Sequence, residues 1–398
     1  MDLTIHPGKL NGTVTVIPSK SQAHRYLICA AFADGPTRIL CPETSRDMDA
    51  TCDCLNALGA EIQKDSLGYL VTPMKSVPEF PELYCRDSGS TLRFLLPVAG
   101  ALGADTLFHL EGRLPSRPLS PLWEEMERMG CRLSRPTENT VRCQGQLKSG
   151  KYRIDGGISS QFITGLLFAA ALIPGPAEIA VTGTLQSKPY VDMTLEAMEA
   201  FSLSFRDLRL EGRKVFHSPK TLTVEGDWSN ASFFLAAQAL GSDLKVLGLN
   251  PKSSQGDRAA SRWIPALKTF QSISAADIPD LVPILAVAAA CNQGARFTEI
   301  RRLRLKESDR VASVIAMIRA LGGKAQADEN TLTVQGTGLT GGTVDAANDH
   351  RIAMAAAIAA TVCKNDVTIL MADCVSKSYP QFWEEYSRLG GNYEQYIR

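Results

Sequence analysis

Arg304-Leu305-Lys306-Glu307-Ser308-Asp309-Arg310 stands directly before the most regularly periodic part of the chain. Apolar residues then recur at helical spacing until Gly322-Gly323; they are Val311, Val314, Ile315, Ile318 and Leu321. This pattern predicts a helix over 308–321 with Ser308 as its N-cap. Arg310 would then lie in the first turn, where a cation opposes the helix dipole unless an anion binds there. The alternative is a solvated cluster of surface charges.

The overall charge and length limit the classes of function. The chain has 398 residues, and 42 basic side chains balance 42 acidic ones. A neutral balance predicts no general attraction for nucleic acid or anionic membrane, so we expect neither as a partner. Any anion site must come from local clustering of cations. The length is sufficient for two or more domains, each with its own core.

The chain shows no signal for export or membrane insertion. Met1-Asp2-Leu3-Thr4-Ile5 lacks the basic and apolar regions of a signal peptide. The longest apolar runs, 163–173 and 281–291, are too short to span a bilayer. Ten cysteines are scattered singly, and the spacing of Cys52 and Cys54 is not that of a zinc site. We therefore expect a cytoplasmic protein without metal or cofactor, and we expect it to be a monomer.

One pattern recurs six times along the sequence. A polar motif opens a long Ala/Leu-rich helix, a Gly or Pro turn follows, and a β-branched strand comes next. The six openings are Ser19-Lys20-Ser21, Asp87-Ser88-Gly89-Ser90, Ser159-Ser160-Gln161, Asp227-Trp228-Ser229-Asn230, Asp277-Ile278-Pro279-Asp280 and Asn348-Asp349-His350-Arg351. A second, amphipathic helix follows each strand, including one predicted over 259–270. Short alternating segments, such as 215–217, are predicted strands.

The repeating unit is therefore a small α/β unit of about seventy residues. Six copies suggest two domains of three copies each. We predict a first lobe over 20–225, and a second lobe from 1–19 together with 226–398. The fourth copy is shorter, with two strands missing between Phe270 and Ala276.

Cations recur where these helices begin. Arg25, Arg93, Arg310 and Arg351 fall in or near first turns, with serines close by, and Arg117 and Lys377 precede other helices. Repeated four times, this pattern favours a shared site for several phosphate or carboxylate groups over independent surface patches. The sequence has no phosphate-binding loop of the Gly-x-x-x-x-Gly-Lys-Ser/Thr type and no Gly-rich dinucleotide fingerprint.

Other titratable residues in the motifs supply candidate acids and bases. The acids are Asp280, Glu307 and Asp349, which can run general acid/base chemistry. Asp349 is as well placed to be only a helix cap. His24 and His350 are favoured as hydrogen-bonding partners in the pocket wall rather than as bases.

Six motifs together resemble the 5-enolpyruvylshikimate-3-phosphate synthase family of enolpyruvyl transferases. In chain order they are 18–25 (Pro-Ser-Lys-Ser to Arg25), 88–93 (Ser-Gly-Ser-Thr-Leu-Arg), 159–162 (Ser-Ser-Gln-Phe), 187–190 (Ser-Lys-Pro-Tyr), 306–310 (Lys-Glu-Ser-Asp-Arg) and 349–354 (Asp-His-Arg-Ile-Ala-Met). The resemblance covers nearly the whole chain. It implies an α/β (α+β) fold of two lobes, each of three βαβαββ units, with helix N-termini facing a cleft between the lobes.

The resemblance also implies a reaction and a set of site residues. The reaction transfers the enolpyruvyl group of phosphoenolpyruvate to the 5-hydroxyl of shikimate 3-phosphate by addition and elimination, without metal or cofactor. The implied ligands of shikimate 3-phosphate are Lys20, Ser21, Arg25, Ser159, Ser160, Gln161, Ser187, Tyr190, Asp280 and Lys306. Those of phosphoenolpyruvate are Lys20, Gly89, Arg117, Arg310, Arg351 and Lys377. The implied catalytic residues are Asp280, Glu307 and Lys20. Asp280 would take the hydroxyl proton, and Glu307 would exchange a proton with the methylene carbon.

Two alternatives and one departure remain at this point. The sister enolpyruvyl transferase acting on UDP-N-acetylglucosamine carries a Cys in the loop before its Arg-Pro pair, whereas residues 111–118 here contain none. A non-catalytic phosphate-binding protein on the same scaffold would be expected to lack Asp280 or Glu307. Arg302 stands where some family members carry Asn beside the substrate, which puts that contact in doubt.

Overall fold

Residues 1–396 are described by a computed structural model, and the chain divides into two units. The continuous unit is Pro18–Val224, and the discontinuous unit combines Met1–Ile17 with the chain from Glu225 onward. The first two strands, β1 (Asp2–His6) and β2 (Asn11–Thr15), belong to the discontinuous unit. Among residues 1–396, no helix combines the length and apolar character that crossing a membrane requires.

The continuous unit is built around three apolar helices that begin at the predicted polar motifs. They are α1 (Lys20–Ala31), α3 (Gly89–Leu102) and α5 (Ser160–Leu172). In α5 every residue from Phe162 to Leu172 is buried, so this helix packs on all sides, as its apolar sequence requires. The amphipathic helices are α2 (Arg46–Ala57), α4 (Leu122–Arg128) and α6 (Lys188–Glu199).

Three sheets cover these helices. The first has the order β13-β3-β5-β4, the second β6-β7-β9-β8 and the third β10-β11-β12. Their strands are β3 (Thr37–Leu40), β4 (Glu61–Asp65), β5 (Gly68–Thr72), β6 (Glu82–Arg86), β7 (Thr106–Leu110), β8 (Cys131–Ser134), β9 (Thr140–Gly145), β10 (Gly150–Asp155), β11 (Ala177–Thr182), β12 (Arg209–Leu210) and β13 (Thr221–Thr223). In the second sheet β6 and β7 are parallel, and β7, β9 and β8 pair antiparallel. With α3 and α4, these four strands form the predicted βαβαββ unit.

The discontinuous unit repeats this plan. Its apolar helices are α7 (Trp228–Ala239), α9 (Val282–Ala290) and α11 (His350–Ala360), and the others are α8 (Ala260–Ala266), α10 (Arg310–Ala320) and α12 (Phe382–Arg388). Its remaining strands are β14 (Asp243–Leu247), β15 (Gln271–Ser274), β16 (Ala295–Thr298), β17 (Lys324–Ala327), β18 (Thr331–Gln335), β19 (Gly342–Asp345), β20 (Val367–Leu370) and β21 (Asn392–Tyr396). Two of its sheets have four strands, β15-β16-β18-β17 and β19-β20-β1-β21, and β14 and β2 form a two-stranded sheet.

Three local predictions were wrong. The N-cap of α10 is Asp309, whose side chain accepts a hydrogen bond from the amide of Ala312, and Ser308 lies one residue before it. The segment 215–217 makes only an isolated bridge between Phe216 and Ala33 and is not a strand. The predicted helix over 259–270 is shorter, because α8 follows a 3₁₀ turn at Gly256–Ala259 and ends at Ala266.

Candidate active site

Arg310 is the centre of a cluster of charged side chains in the discontinuous unit. Although it is the first residue of α10, its side chain is completely buried. Its Nη1 donates to Asp280 at 2.7 Å, its Nη2 to Glu307 at 2.6 Å, and its Nε to Asp349 at 3.0 Å. Thus three carboxylates compensate a cation that the helix dipole alone would disfavour. We call Asp280, Lys306, Glu307, Arg310, Asp349 and Arg351 the carboxylate–guanidinium cluster.

Asp280 joins the two guanidinium groups of this cluster. Its Oδ1 accepts from Arg310, and its Oδ2 accepts from Arg351 Nη2 at 3.0 Å. Burial by itself raises the pKa of Asp280, but the charges of Arg351, Lys306 and Arg310 outweigh it and hold that pKa well below its ordinary value. Asp280 is therefore ionised at neutral pH and is a weak base while both arginines contact it.

Lys306 and Glu307 lie at the accessible side of the cluster. Lys306 Nζ is 3.5 Å from Asp280 Oδ1. The side chains of Lys306 and Glu307 are 22% and 27% exposed to solvent. Burial lowers the pKa of Lys306 to about 8; the nearby Arg310 and Arg302 also lower it, and Asp280 opposes them. Both residues can therefore reach a ligand, while Arg310 beneath them cannot be reached without rearrangement.

Arg351 and Lys377 are held in place by neutral oxygens as well. Arg351 is buried at the second position of α11, and its Nη1 donates to Ser229 Oγ at 2.6 Å. Lys377 Nζ donates to the carbonyl of Asn348 at 2.8 Å, immediately before α11. Two of the predicted ligands of phosphoenolpyruvate thus lie at the start of one helix.

Asp349 serves both as a helix cap and as a member of the cluster. Its Oδ1 caps α11 by accepting from the amide of Arg351 at 3.0 Å, and its Oδ2 accepts from Ser308 Oγ at 3.0 Å. Ser308 is therefore an anchor between α10 and α11, which explains why it does not cap α10. Because Asp349 is fully buried, we place it in the support of the site rather than in the chemistry.

Arg25 connects α1 with α6 in the continuous unit. It lies in the second turn of α1, near the helix start as predicted, and it is buried. Its nitrogens donate to Thr194 Oγ1, to the Ser21 carbonyl and to the Tyr190 carbonyl, at 2.9, 2.6 and 2.9 Å. Burial lowers its pKa to about 10, so it stays charged at neutral pH. Arg25 therefore fixes the backbone beside Ser21 and Tyr190.

The beginning of α1 places a cation and a neutral histidine side by side. Lys20, the first residue of α1, forms an ion pair with Asp47 Oδ2 at 2.8 Å. His24 is completely buried, and its Nδ1 is hydrogen bonded to Thr51 at 2.7 Å. Burial, with help from Lys20 and Arg25, holds the pKa of His24 well below its ordinary value. This agrees with its predicted role as a hydrogen-bonding partner.

Two guanidinium groups meet over Gly89, the first residue of α3. A Cβ added to Gly89 would lie 2.6 Å from Arg117 Nη1 and 2.7 Å from Arg93 Nη1. Arg93 Nη1 also donates to Gln161 Oε1 at 2.9 Å, and Gln161 Nε2 donates to Ser90 at 3.0 Å. We call these five residues the Gly89 cluster. Arg93 was recognised as a cation near a helix start, here in the second turn of α3, but was not assigned to either ligand set.

The predicted serines occupy two other helix starts of the continuous unit. Ser159 caps α5, accepting from the amide of Gln161 at 3.3 Å, and Ser160 is the buried first residue of that helix. Ser187 stands before α6 with a left-handed backbone (φ 54°) and is buried. A residue other than glycine is strained in this conformation, and such strained residues are common at ligand-binding sites. Tyr190 is the third residue of α6, one turn from Ser187.

The supporting roles of two residues were not predicted from the sequence. Ser229 lies in the fourth polar opening, Asp227-Trp228-Ser229-Asn230, but its contact with Arg351 was not predicted. Asp257 lies in the 3₁₀ turn before α8 and is hydrogen bonded to Ser229. A single Asp in a polar loop carries no periodic or motif signal, so no sequence pattern could identify it.

The repeated βαβαββ units, with cations gathered at helix starts, are those of an enolpyruvyl transferase. The fold resembles the EPSP synthase of Acinetobacter baumannii with a TM-score of 0.79 and 23% identity, covering 99% of both chains. It also resembles the enolpyruvyl transferase NikO of Streptomyces tendae with a TM-score of 0.74 and 18% identity, covering 99% of this chain and 98% of that one.

Sequence comparison narrows the class to one family. The model of the EPSP synthase family (3-phosphoshikimate 1-carboxyvinyltransferase) matches residues 5–386, and the chain belongs to that family. Proteins named 3-phosphoshikimate 1-carboxyvinyltransferase from Clostridium kluyveri and Clostridium perfringens are 36% and 37% identical to it. These matches cover 99% and 97% of this chain and 98% of each relative.

Proposed function

We propose that this protein transfers the enolpyruvyl group of phosphoenolpyruvate to the 5-hydroxyl of shikimate 3-phosphate and releases phosphate. The observation that carries the proposal is the carboxylate–guanidinium cluster, in which Asp280, Lys306 and Glu307 meet two buried arginines. Such a cluster can bind an anion and also move a proton. Membership of the EPSP synthase family supplies the substrates.

The proposed ligand sets are those that the family resemblance implied. Shikimate 3-phosphate is held by Lys20, Ser21, Arg25, Ser159, Ser160, Gln161, Ser187, Tyr190, Asp280 and Lys306. Phosphoenolpyruvate is held by Lys20, Gly89, Arg117, Arg310, Arg351 and Lys377. The helix-start positions of Ser159, Ser187 and Arg351 support these sets, because the positive end of the helix dipole favours anions there. Lys20 contacts both substrates in this proposal and is therefore counted with the catalytic residues.

The first chemical step adds the 5-hydroxyl oxygen to C2 of phosphoenolpyruvate and a proton to its methylene carbon. Asp280 accepts the hydroxyl proton, and Glu307 donates the proton to carbon. In the second step the bond between C2 and the phosphate oxygen breaks, and phosphate leaves with the proton that Asp280 had accepted. Glu307 takes a proton back from the new methyl group, which restores the double bond. The neighbouring cations stabilise the phosphate and carboxylate charges throughout.

The anion itself prepares Asp280 for this role. In the structure Arg310 and Arg351 both donate hydrogen bonds to Asp280, and their charges keep its pKa low. Phosphoenolpyruvate competes for the same guanidinium groups, so its binding weakens their hold on Asp280. The basicity of Asp280 then rises when the second substrate is in place.

The same proposal has two further parts. All ten cysteines are free thiols, which supports a reducing compartment such as the cytoplasm. We also propose that the protein acts as a monomer, without nucleic acid, metal or cofactor.

One assay separates this function from its alternatives. Phosphate release from phosphoenolpyruvate is measured with shikimate 3-phosphate and, separately, with UDP-N-acetylglucosamine, each with and without a chelator. We expect turnover only with shikimate 3-phosphate, and we expect the chelator to leave it unchanged. Turnover of the UDP-sugar, or its absence with both acceptors, would contradict the proposal.

A further inference from the structure

Asp257 and Arg351 are connected through one hydroxyl group. Arg351 Nη1 donates to Ser229 Oγ at 2.6 Å, and a guanidinium group can only donate. Ser229 therefore has its single hydroxyl hydrogen available for another acceptor. Asp257 is hydrogen bonded to Ser229, so the chain of donation runs from Arg351 through Ser229 to Asp257.

The turn that carries Asp257 is fixed to the beginning of α7. Gln255, two residues earlier, accepts from the amide of Trp228 at 3.0 Å and donates to the carbonyl of Gly226 at 2.9 Å. Asp257 itself is only 3% exposed. Its side chain is thus held rigidly behind Ser229 and away from solvent.

Several charged groups face this buried carboxyl. Asp280, from the loop before α9, and Asp227, the N-cap of α7, repel its negative charge, while Arg351 of α11 attracts it. Arg258 of the same turn is exposed and donates to the carbonyl of Pro251. Burial and the charge of Asp280 raise the pKa of Asp257 to about 6.

Two carboxylates therefore share the positive charge of Arg351. An anion bound to Arg351 neutralises much of the positive charge that otherwise stabilises these two carboxylates. Asp280 still has Lys306, which is not a proposed ligand of phosphoenolpyruvate, at 3.5 Å, whereas Asp257 becomes a buried charge with weaker support. Neutralising such a group by protonation costs less than keeping it ionised in a low-dielectric site.

We propose that Asp257 is a positioning residue, which holds the Arg351 guanidinium through Ser229 and takes up one proton when an anion binds to Arg351. The inference rests on the proposed function only in treating Arg351 as an anion-binding residue. It adds a coupling between ligand charge and proton uptake at a residue that does not touch the substrate.

Calorimetry with sulfate tests the proton uptake in the full-length protein. Sulfate stays doubly charged near neutral pH, unlike phosphate or phosphoenolpyruvate, so protons taken up belong to the protein. The binding enthalpy is measured at about pH 6.5, just above the pKa of Asp257, in buffers of different ionisation enthalpy. We expect a substantial fraction of one proton to be taken up per sulfate, and close to none in Asp257→Asn, which can still accept from Ser229.

Two further variants make the result specific. Asp243→Asn removes an exposed carboxylate of β14 in the same unit and should behave like the unaltered protein. Ser229→Ala removes the relay but keeps both charges, so it should raise the KM for phosphoenolpyruvate several-fold while proton uptake persists. A merely structural role for Asp257 would not link its charge to sulfate binding.

Unaltered proton uptake in Asp257→Asn, or none in the unaltered protein, would overturn the inference. If Asp257→Asn does not fold, infrared difference spectra of the unaltered protein replace it: a protonated carboxyl band must grow on sulfate addition, and its absence refutes the proposal. Either failure leaves the phosphate-release assay untouched, so the failure of this inference and of the proposed function are distinguishable.

Discussion

Glu307 is the residue whose replacement best separates proton transfer from binding. It accepts from Arg310 at 2.6 Å, yet more than a quarter of its side chain is exposed, at 27%. Glu307→Gln keeps the shape and can still accept from Arg310, but it cannot exchange a proton with carbon. We expect kcat to fall by about 100-fold or more, with little change in the affinity for shikimate 3-phosphate.

Steady-state kinetics and equilibrium binding measure these two quantities separately. Glu329→Gln is a matched control, because Glu329 is 81% exposed and only pairs with Arg301 at the surface. If Glu307→Gln works at nearly the normal rate, or fails only because shikimate 3-phosphate no longer binds, Glu307 is a structural member of the cluster.

The pKa of Lys306 leads us to expect a decline of enzyme activity at alkaline pH. Its pKa of about 8 means that the free enzyme loses this positive charge as pH rises above 8. A neutral amine attracts shikimate 3-phosphate less, so kcat/KM for this substrate should fall towards ten-fold per pH unit. Lys306→Arg, which stays charged, should move the decline to higher pH. The exposed Lys324→Arg should leave the profile unchanged, and a profile that Lys306→Arg does not shift would contradict the assignment.

At this scale the sequence identified the cations but not their partners. Arg310 was selected because a cation at a helix start breaks the dipole rule, and the structure confirms that position. Its carboxylate partners Asp280 and Asp349 lie 30 and 39 residues away, and local patterns do not reveal which distant acids a fold brings together. Local sequence patterns also could not show that acidic side chains of the protein contact Arg310 where a bound anion was expected.

The start of α3 shows what one helix terminus contributes. Gly89 lets the guanidinium groups of Arg93 and Arg117 approach the backbone closely, and Gly89→Ala would put a methyl group within 2.6 Å of Arg117 Nη1. These are ends of flexible side chains, so they move and the fold survives. Losing one charged contact of about 1.5 kcal/mol or more should raise the KM for phosphoenolpyruvate by roughly ten-fold, with a smaller change for shikimate 3-phosphate.

Thermal unfolding and separate KM values for the two substrates check this expectation. Gly8→Ala is the control, because a Cβ there meets nothing within 4 Å. A loss of folding in Gly89→Ala, or an equal rise of both KM values, would assign Gly89 to packing instead.

Elements were easier to predict than their ends. The apolar helices follow from periodicity and turn residues, and they begin at the polar motifs as predicted. Ser308 and Asp309 are both good caps, and the choice between them depends on the tertiary bond from Ser308 to Asp349. Sequence reasoning cannot make that choice, because the partner belongs to another helix.

At the scale of the whole molecule, strands that are far apart in the chain pair within one sheet, and the sequence of a single repeat does not show this pairing. The first repeat takes its leading strand from β13, which pairs parallel with β3 from more than 180 residues earlier in the chain, as in the pair Thr221 and Arg38. The sequence showed the repeats but not this exchange, because pairing between distant strands leaves no local pattern. The sheet formed by β2 and β14 likewise joins the two segments of the discontinuous unit, Met1–Ile17 and the chain from Glu225 onward.

The division of the proposed ligands between the two units leads to the last prediction. Lys20, Arg25 and Tyr190 belong to the continuous unit, whereas Asp280 and Lys306 belong to the discontinuous one. We predict that the two units close around one molecule of shikimate 3-phosphate, because its proposed ligands come from both units and closure removes water from the reacting groups. We expect small-angle scattering to show a smaller radius of gyration with shikimate 3-phosphate than with the same concentration of inorganic phosphate. Lys306→Met should weaken this response, because it removes a contact from one set and leaves the other intact. If the radius is unchanged while shikimate 3-phosphate binds at saturating concentration, closure on this substrate is wrong, and its ligands must come from one unit or from units that are already closed.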